Sequence, residues 1–336
     1  MHTRKIVILL AFVYLSFVLA LVTSTGAANA LALPYNHESS VRMIQPDRSS
    51  FATIAGVAAY DSGWESLTIR PDPISVGFTH NLGGNPDSYH VSLECRDNTT
   101  LATYDCTNDN FNVQAHWYGL TSSTVSVYVT NGSQPDGIRV RIYTDTPAYD
   151  GGWESISARP DPITVEFTHS LGGDPDSYHV SLECRDNSTL GTYDCANDNF
   201  YSQALWYSLT ASTVRVYVIG GSQPDGVRVR IYTDPPAYDS GWESFGIRPD
   251  PISVGFTHNL GGDPDAYHVS LECRDDTALG TYDCTNSNFN VQAHWDGLTG
   301  TTVSVYVTNG SQPDGVRVRI WRVNAVYLPI ITKPAE

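Results

Sequence analysis

Basic residues are scarce in this chain: 19 Lys and Arg stand against 36 Asp and Glu in 336 residues, a formal net charge of −17. Without a basic surplus to displace counterions, a phosphate backbone is excluded as a partner, so no nucleic acid is expected. Methionine is nearly missing, with 2 residues, while Tyr reaches 20, Trp 7, Gly 27 and Pro 19. That is the composition of a turn-rich β-protein, and no long amphipathic helical pattern runs through it. Charged residues make up only 16% of the chain against 41% apolar, which is too apolar for a disordered polymer. There is no Gly-x-Ser-x-Gly, no His-Glu-x-x-His and no phosphate-binding loop. Beyond the first thirty residues, no segment is apolar enough to span a bilayer.

What is present begins with an export pattern. Arg4 and Lys5 precede an apolar stretch from Ile6 to Val22, and Ala28-Asn29-Ala30 offers a small-residue cleavage site. Residues 1–30 therefore read as a signal peptide. The mature chain is expected to begin near Leu31, to be secreted or held at the cell surface, and to make no membrane insertion after cleavage. Residues 31–59 read as a spacer.

The rest is one unit written three times. Trp64, Trp153 and Trp242 lie 89 residues apart, as do His80, His169 and His258, and Cys95, Cys184 and Cys273. The units are 60–148, 149–237 and 238–326, followed by a C-terminal tail, 327–336. A period this long indicates tandem domains, because solenoid repeats run roughly 20–50 residues. The linkers 144–148 and 233–237 carry proline and are short, so neighbouring units should sit close together.

Within unit one, Ile74, Val76 and Phe78 alternate with polar or small residues, as do Tyr89 to Cys95, Phe111 to Trp117, Val125 to Val129 and Ile138 to Ile142. With a short strand near Trp64, this predicts about six strands, each with one apolar face, separated by Gly, Pro, Asn and Asp clusters. The fold class is all-β: three tandem antiparallel β-sandwich domains. Gly77 becomes Glu166 and Ser126 becomes Arg215 in the second unit, both on the predicted solvent face. Val113 becoming Ser202 does not fit that alternation.

The six cysteines form three Cys-x10-Cys pairs, Cys95/Cys106, Cys184/Cys195 and Cys273/Cys284. In an exported chain this predicts one local disulfide per domain. Zinc knuckles use closer Cys pairs with further ligands, so the cysteines carry no metal expectation.

Chemistry has few candidates. His80 and His90 flank a hairpin and recur as His169/His179 and His258/His268; they read as a two-histidine metal pair or as a turn histidine beside a solvated strand histidine, with the second favoured. Asp87, Asp97, Asp105, Asn108, Asp109 and Asn110 hold oxygens that calcium could use, but turn formation accounts for them, and Asp109 becomes Ser287 in unit three. No metal and no cofactor is expected. Glu65, Asp72 and Glu94 are the carboxylates an acid/base hydrolase would use, with nothing to fix their separation. Copying a catalytic unit three times gains little, whereas linked weak binding sites gain avidity, so the chain is not expected to be an enzyme. Trp117-Tyr118, beside the loop Arg70-Pro71-Asp72-Pro73, would suit a sugar, with a flat ring for its C–H face and charged groups for its hydroxyls; equally, Trp117 is a core residue by its alternation with Phe111.

On these residues the chain resembles a known family. Gly-Trp, a Pro/Asp loop, Ile74 to Phe78, Tyr89 to Leu93, Asn110 to Trp117 and Thr124 to Val129 are similar, in that order, to the H-type lectin domain. The resemblance implies a six-stranded antiparallel sandwich that binds galactose or N-acetylgalactosamine at sites between the protomers of a trimer. It places carbohydrate-binding roles on Asp72, Asp161 and Asp250, on Trp117, Trp206 and Trp295, and on Tyr118 and Tyr207. An Arg in the family's middle strand has no counterpart here, because the Cys-x10-Cys loop takes its place. The expected function is then that of a secreted, multivalent carbohydrate-binding protein of glycans or glycoconjugates, its three repeats forming a pseudo-trimer within one chain. The alternative is a non-enzymatic structural or adhesive surface protein without a small ligand.

Overall fold

In a computed structural model, the described residues are 58–323, apart from the segments 68–72, 98–102, 107–113, 131–134, 157–161, 188–189, 196–202, 220–223, 246–251, 277–279, 285–291 and 309–312. The signal-peptide reading, almost all of the spacer, the tail, the Val113/Ser202 position and Asp72, Asp161 and Asp250 lie outside them.

The first repeat contains β1 (Tyr60–Asp61), β2 (Glu65–Ser66), β3 (Ile74–Thr79), β4 (His90–Arg96), β5 (Tyr104–Asp105), β6 (Gln114–Tyr118), β7 (Thr124–Thr130) and β8 (Gly137–Tyr143). The second and third repeats give β9–β16 and β17–β24 in the same order. Every pairing is antiparallel. One sheet runs β4 between β8 and β5, with the short β1 and β2 both on β8; the other runs β3–β7–β6. The two short strands β1 and β5 are what the expected six lacked, since two residues leave no alternation to detect.

Period-two patterning fixes the faces. In β3, Ile74, Val76 and Phe78 point inward while Ser75, Gly77 and Thr79 are exposed. Across the core, Val125, Val127, Val129, Ile138, Val140 and Ile142 are fully buried. At the matching place in the second repeat, Glu166 faces Arg215 across the strands, Nε to Oε2 at 2.8 Å, on the solvent side as expected.

Cys95–Cys106, Cys184–Cys195 and Cys273–Cys284 are disulfides, each with Cα atoms 5.1 Å apart. Each ties the end of a long strand to the residue after its short partner, as Cys95 in β4 pairs across from Tyr104. Closing so short a loop restricts the unfolded chain by about 3 kcal/mol, a substantial part of the stability of a thin-cored domain. These bonds belong to an extracellular or otherwise oxidising environment. Among the described residues, no helix is long and apolar enough to cross a membrane.

One expectation fails. The strand Ile138 to Ile142 reads as having a single apolar face, yet β8 is buried at all seven positions. Arg141 is 0% exposed and Arg139 9%. The core covers one face of β8. A neighbouring repeat covers the other.

Candidate functional site

The polar face of β4 and β8 is built by register. Glu94 stands opposite Arg139, Ser92 opposite Arg141, and His90 opposite Tyr143. Arg141 turns back to Glu94, Nη1 to Oε1 at 2.5 Å, and donates to the Tyr267 carbonyl at 2.8 Å and to the Asp265 carbonyl of the third repeat. Arg139 clamps Asp61 through Nε at 2.8 Å and Nη2 at 2.5 Å and donates to the Asp265 carbonyl at 3.0 Å. Trp64 Nε1 reaches Asp265 Oδ2 at 2.9 Å.

The same set joins repeat two to repeat one. Arg228 donates to the Asp87 carbonyl at 2.6 Å, Arg230 to the Tyr89 carbonyl at 2.5 Å, and Trp153 to Asp87 Oδ1 at 3.1 Å. It also joins repeat three to repeat two, where Arg317 donates to the Asp176 carbonyl at 2.7 Å, Arg319 to the Tyr178 carbonyl, and Trp242 to Asp176 Oδ2 at 3.1 Å. Each repeat therefore grips the one before it, and the first grips the third, in a cycle that closes on itself. The receiving element is a single turn, Pro86–Ser88 in repeat one, whose Asp87 is thereby an interface residue. The guanidiniums of Arg96, Arg185 and Arg274 lie over the Trp64, Trp153 and Trp242 rings at 4.7, 4.7 and 5.0 Å.

Sheets also run across two of the junctions. Tyr118 of β6 pairs with Tyr193 of β13 (Gly191–Asp194), and Tyr207 of β14 (Gln203–Tyr207) with Tyr282 of β21 (Gly280–Asp283).

On the axis of this cycle, His90, His179 and His268 meet. One ring nitrogen from each lies within 4.8 Å of those of the other two, the one such cluster among the described residues. Ser181 Oγ sits 3.0 Å from His90 Nδ1 and Ser92 Oγ 3.2 Å from His268 Nδ1, while His179 Nδ1 is buried without a partner. Tyr143, Tyr232 and Trp321, at equivalent positions, wall a cavity over the trio, with Asp145 and Asp234 at its edge and Val323 in the third place. A second cavity beyond the trio is lined by Ser92, Glu94, Ser270, Trp206 and Trp295 among others.

The pairing of His80 with His90 does not form. His80 packs edge-on against Tyr89 at 5.6 Å and accepts from the Leu82 amide at 3.3 Å, a turn histidine, whereas His90 faces away toward the axis. The strand histidine read as solvated is instead enclosed by the other two repeats.

Burial sets the charges here. It pushes the carboxyls of Glu94, Glu183 and Glu272 up to about 7, against the pull of Arg141, Arg230 and Arg319. It pushes His90 down to about 3, helped by His268, and His268 to about 4, while His179 falls well below its ordinary value. Asp61, Asp150 and Asp239 are held low by hydrogen bonds from Arg139, Arg228 and Arg317 that outweigh their burial.

These shifts give a pH profile for metal-free protein. A raised carboxyl contributes stability that is complete below its unfolded value and lost as pH rises through about 7. A lowered histidine contributes stability present above its unfolded value of 6.5 and lost as pH falls through its folded value. Between pH 7 and about 4.5 the two sets oppose one another. Below that the carboxyls have no more to give, and the histidines and the arginine-bound aspartates both lose. Burial lowers His80, His169, His258 and His294 as well, so the lowered histidines outnumber the raised carboxyls. Melting temperature in the presence of a chelator should therefore decline gently from about pH 6.5, where the carboxyls offset part of the loss, and steeply below about 4.5. A melting temperature that stays level or rises between about pH 6.5 and 4.5 would contradict this.

The residues carrying the lectin expectation are placed unequally. Trp117, Trp206 and Trp295 are 5, 4 and 4% exposed and belong to the three cores, with Trp206 and Trp295 also lining the second cavity. Tyr118 and Tyr207 are half-buried at the junctions, each packed against the core of the next repeat. Tyr118 also shares a 2.8 Å hydrogen bond with Ser75 at the start of β3. Asp296 holds the Tyr position in repeat three, and burial raises its carboxyl.

Sequence reasoning missed the arginine ladder and the axial histidines. The ladder had a signal: Glu94 and Arg139 are opposite charges on what prove to be facing strand positions. The trio had none within one repeat, because it exists only when three copies are assembled. No protein-family model, no curated protein and no solved structure matches this chain.

Proposed function

We propose that this chain is a secreted, non-enzymatic, multivalent carbohydrate-binding protein whose sites lie at the junctions between repeats. The supporting observation is the closed cycle of arginine–turn contacts, which sets equivalent strand ends against a neighbouring repeat around one axis. A stalk gains nothing from such closure, whereas linked weak sites held in fixed relation gain avidity of roughly 10²–10⁴. Tyr118 and Tyr207 are among the aromatic groups that remain partly open at these junctions, and Tyr118 adjoins the strand that follows the Asp72 loop. Galactose and N-acetylgalactosamine are the sugars to which the H-type lectin resemblance points.

The test is a glycan array probed with the mature chain and with a Tyr118→Ala/Tyr207→Ala variant of unchanged melting temperature. Binding to terminal galactose or N-acetylgalactosamine that the variant loses is the expected result. A silent array at high protein concentration, or a variant that binds as its parent does, rejects the reading.

A further inference from the structure

Three copies of one strand residue converge on the axis, although each repeat alone would leave that residue on a polar face. We propose that His90, His179 and His268 together bind a single divalent transition-metal ion, with zinc the best fit. This inference is independent of the sugar reading, because it uses neither the junction tyrosines nor the Asp72 loop.

The donor set is the first argument. Imidazole suits zinc, copper, nickel and iron and is poorly matched to calcium or magnesium, which take oxygen. Three histidines with one position left open is a known zinc arrangement. Geometry is the second. Zinc–nitrogen bonds of about 2.0–2.1 Å put tetrahedral ligand nitrogens about 3.4 Å apart. The nitrogens here lie within 4.8 Å, so each ring need move by less than about 1 Å toward the axis.

The surroundings are the third. A ligating histidine is generally oriented by a partner on its other nitrogen. Ser181 and Ser92 stand at Nδ1 of His90 and His268, leaving Nε2 of each as the ligand. His179 Nδ1 has no partner, and Ser270, the equivalent serine, lines the adjoining cavity. Arg141, Arg230 and Arg319 do not forbid a cation, since each is paired with its own Glu94, Glu183 or Glu272. On the open side, the aromatic walls of Tyr143, Tyr232 and Trp321 exclude bulk water, while Asp145 and Asp234 draw cations inward. Burial and mutual repulsion already raise the Asp145 carboxyl, which a nearby dication would relieve.

The experiment uses the intact, disulfide-bonded chain without a polyhistidine tag, stripped with chelator and titrated with Zn²⁺ by calorimetry. One ion per chain is expected, because three repeats build one site. His179→Gln should abolish that event, and Ser181→Ala, acting through His90, should weaken it about 10-fold. Should His179→Gln misfold, Co²⁺ loaded into the parent decides: intense visible bands of a four- or five-coordinate nitrogen site support the proposal, and the weak spectrum of octahedral cobalt overturns it. No binding, three ions per chain, or a folded His179→Gln that binds as tightly as the parent likewise overturns it.

Discussion

Replacing Arg230 by methionine is expected to lower the free energy of unfolding by about 3–5 kcal/mol, the usual cost of leaving one member of a buried ion pair alone. Arg230 is 1% exposed and donates to Glu183 Oε1 at 2.7 Å, so its loss strands a carboxylate within the ring. It also strips donors from the Tyr89 and Asp87 carbonyls, which belong to the preceding repeat. Urea titration at pH 7 measures the loss. Adding Glu183→Gln should restore much of it, since a neutral amide needs no counter-charge. Lowering the pH from about 9 to 7 should shrink the defect in the single variant, because without Arg230 the Glu183 carboxyl rises above the value of about 7 that it has in the parent and takes its proton in that range. A single variant as stable as its parent would show that the arginine ladder contributes nothing to closure.

Trp206→Ala carries the other large effect, about 3–5 kcal/mol, from a large side chain removed inside a packed core. The indole is 4% exposed and belongs to the same apolar cluster as Val216, Val229 and Ile231. A tryptophan serving as a sugar platform would leave the melting temperature unchanged on truncation and affect binding alone. Thermal unfolding monitored by circular dichroism separates the two roles. A melting temperature within a degree or so of the parent would return Trp206 to the surface and with it the platform reading.

Comparison of β3 with β8 shows why the fold was legible in the sequence and the interface was not. In both strands, side chains alternate between two kinds, and alternation reliably separates the face that meets apolar partners from the face that does not. For Ser75, Gly77 and Thr79 the second face meets water. For Arg139 and Arg141 it meets another repeat. Pattern along a strand cannot distinguish these cases, because a paired and desolvated arginine has the same place in the alternation as a solvated one. The disulfides were readable because loop length alone makes each pair local. Trp117 was ambiguous for a different reason: a large ring at a strand end suits both a core and a ligand, and only packing decides. The axial histidines lie furthest from sequence, since their proximity depends on the rotation that relates three domains.

The meeting of Ala58 and Val323 against Tyr143 has a topological consequence. The first and last described residues of the ring share one apolar cluster, so the two ends of the ring come together there. The gap in that ring falls where Val323 replaces Asp145 and Asp234 of the two linkers. Which repeat comes first is thus a matter of where translation happens to start. A gene opened at either linker and sealed between residues 323 and 58 would encode the same object, with its beginning and end elsewhere.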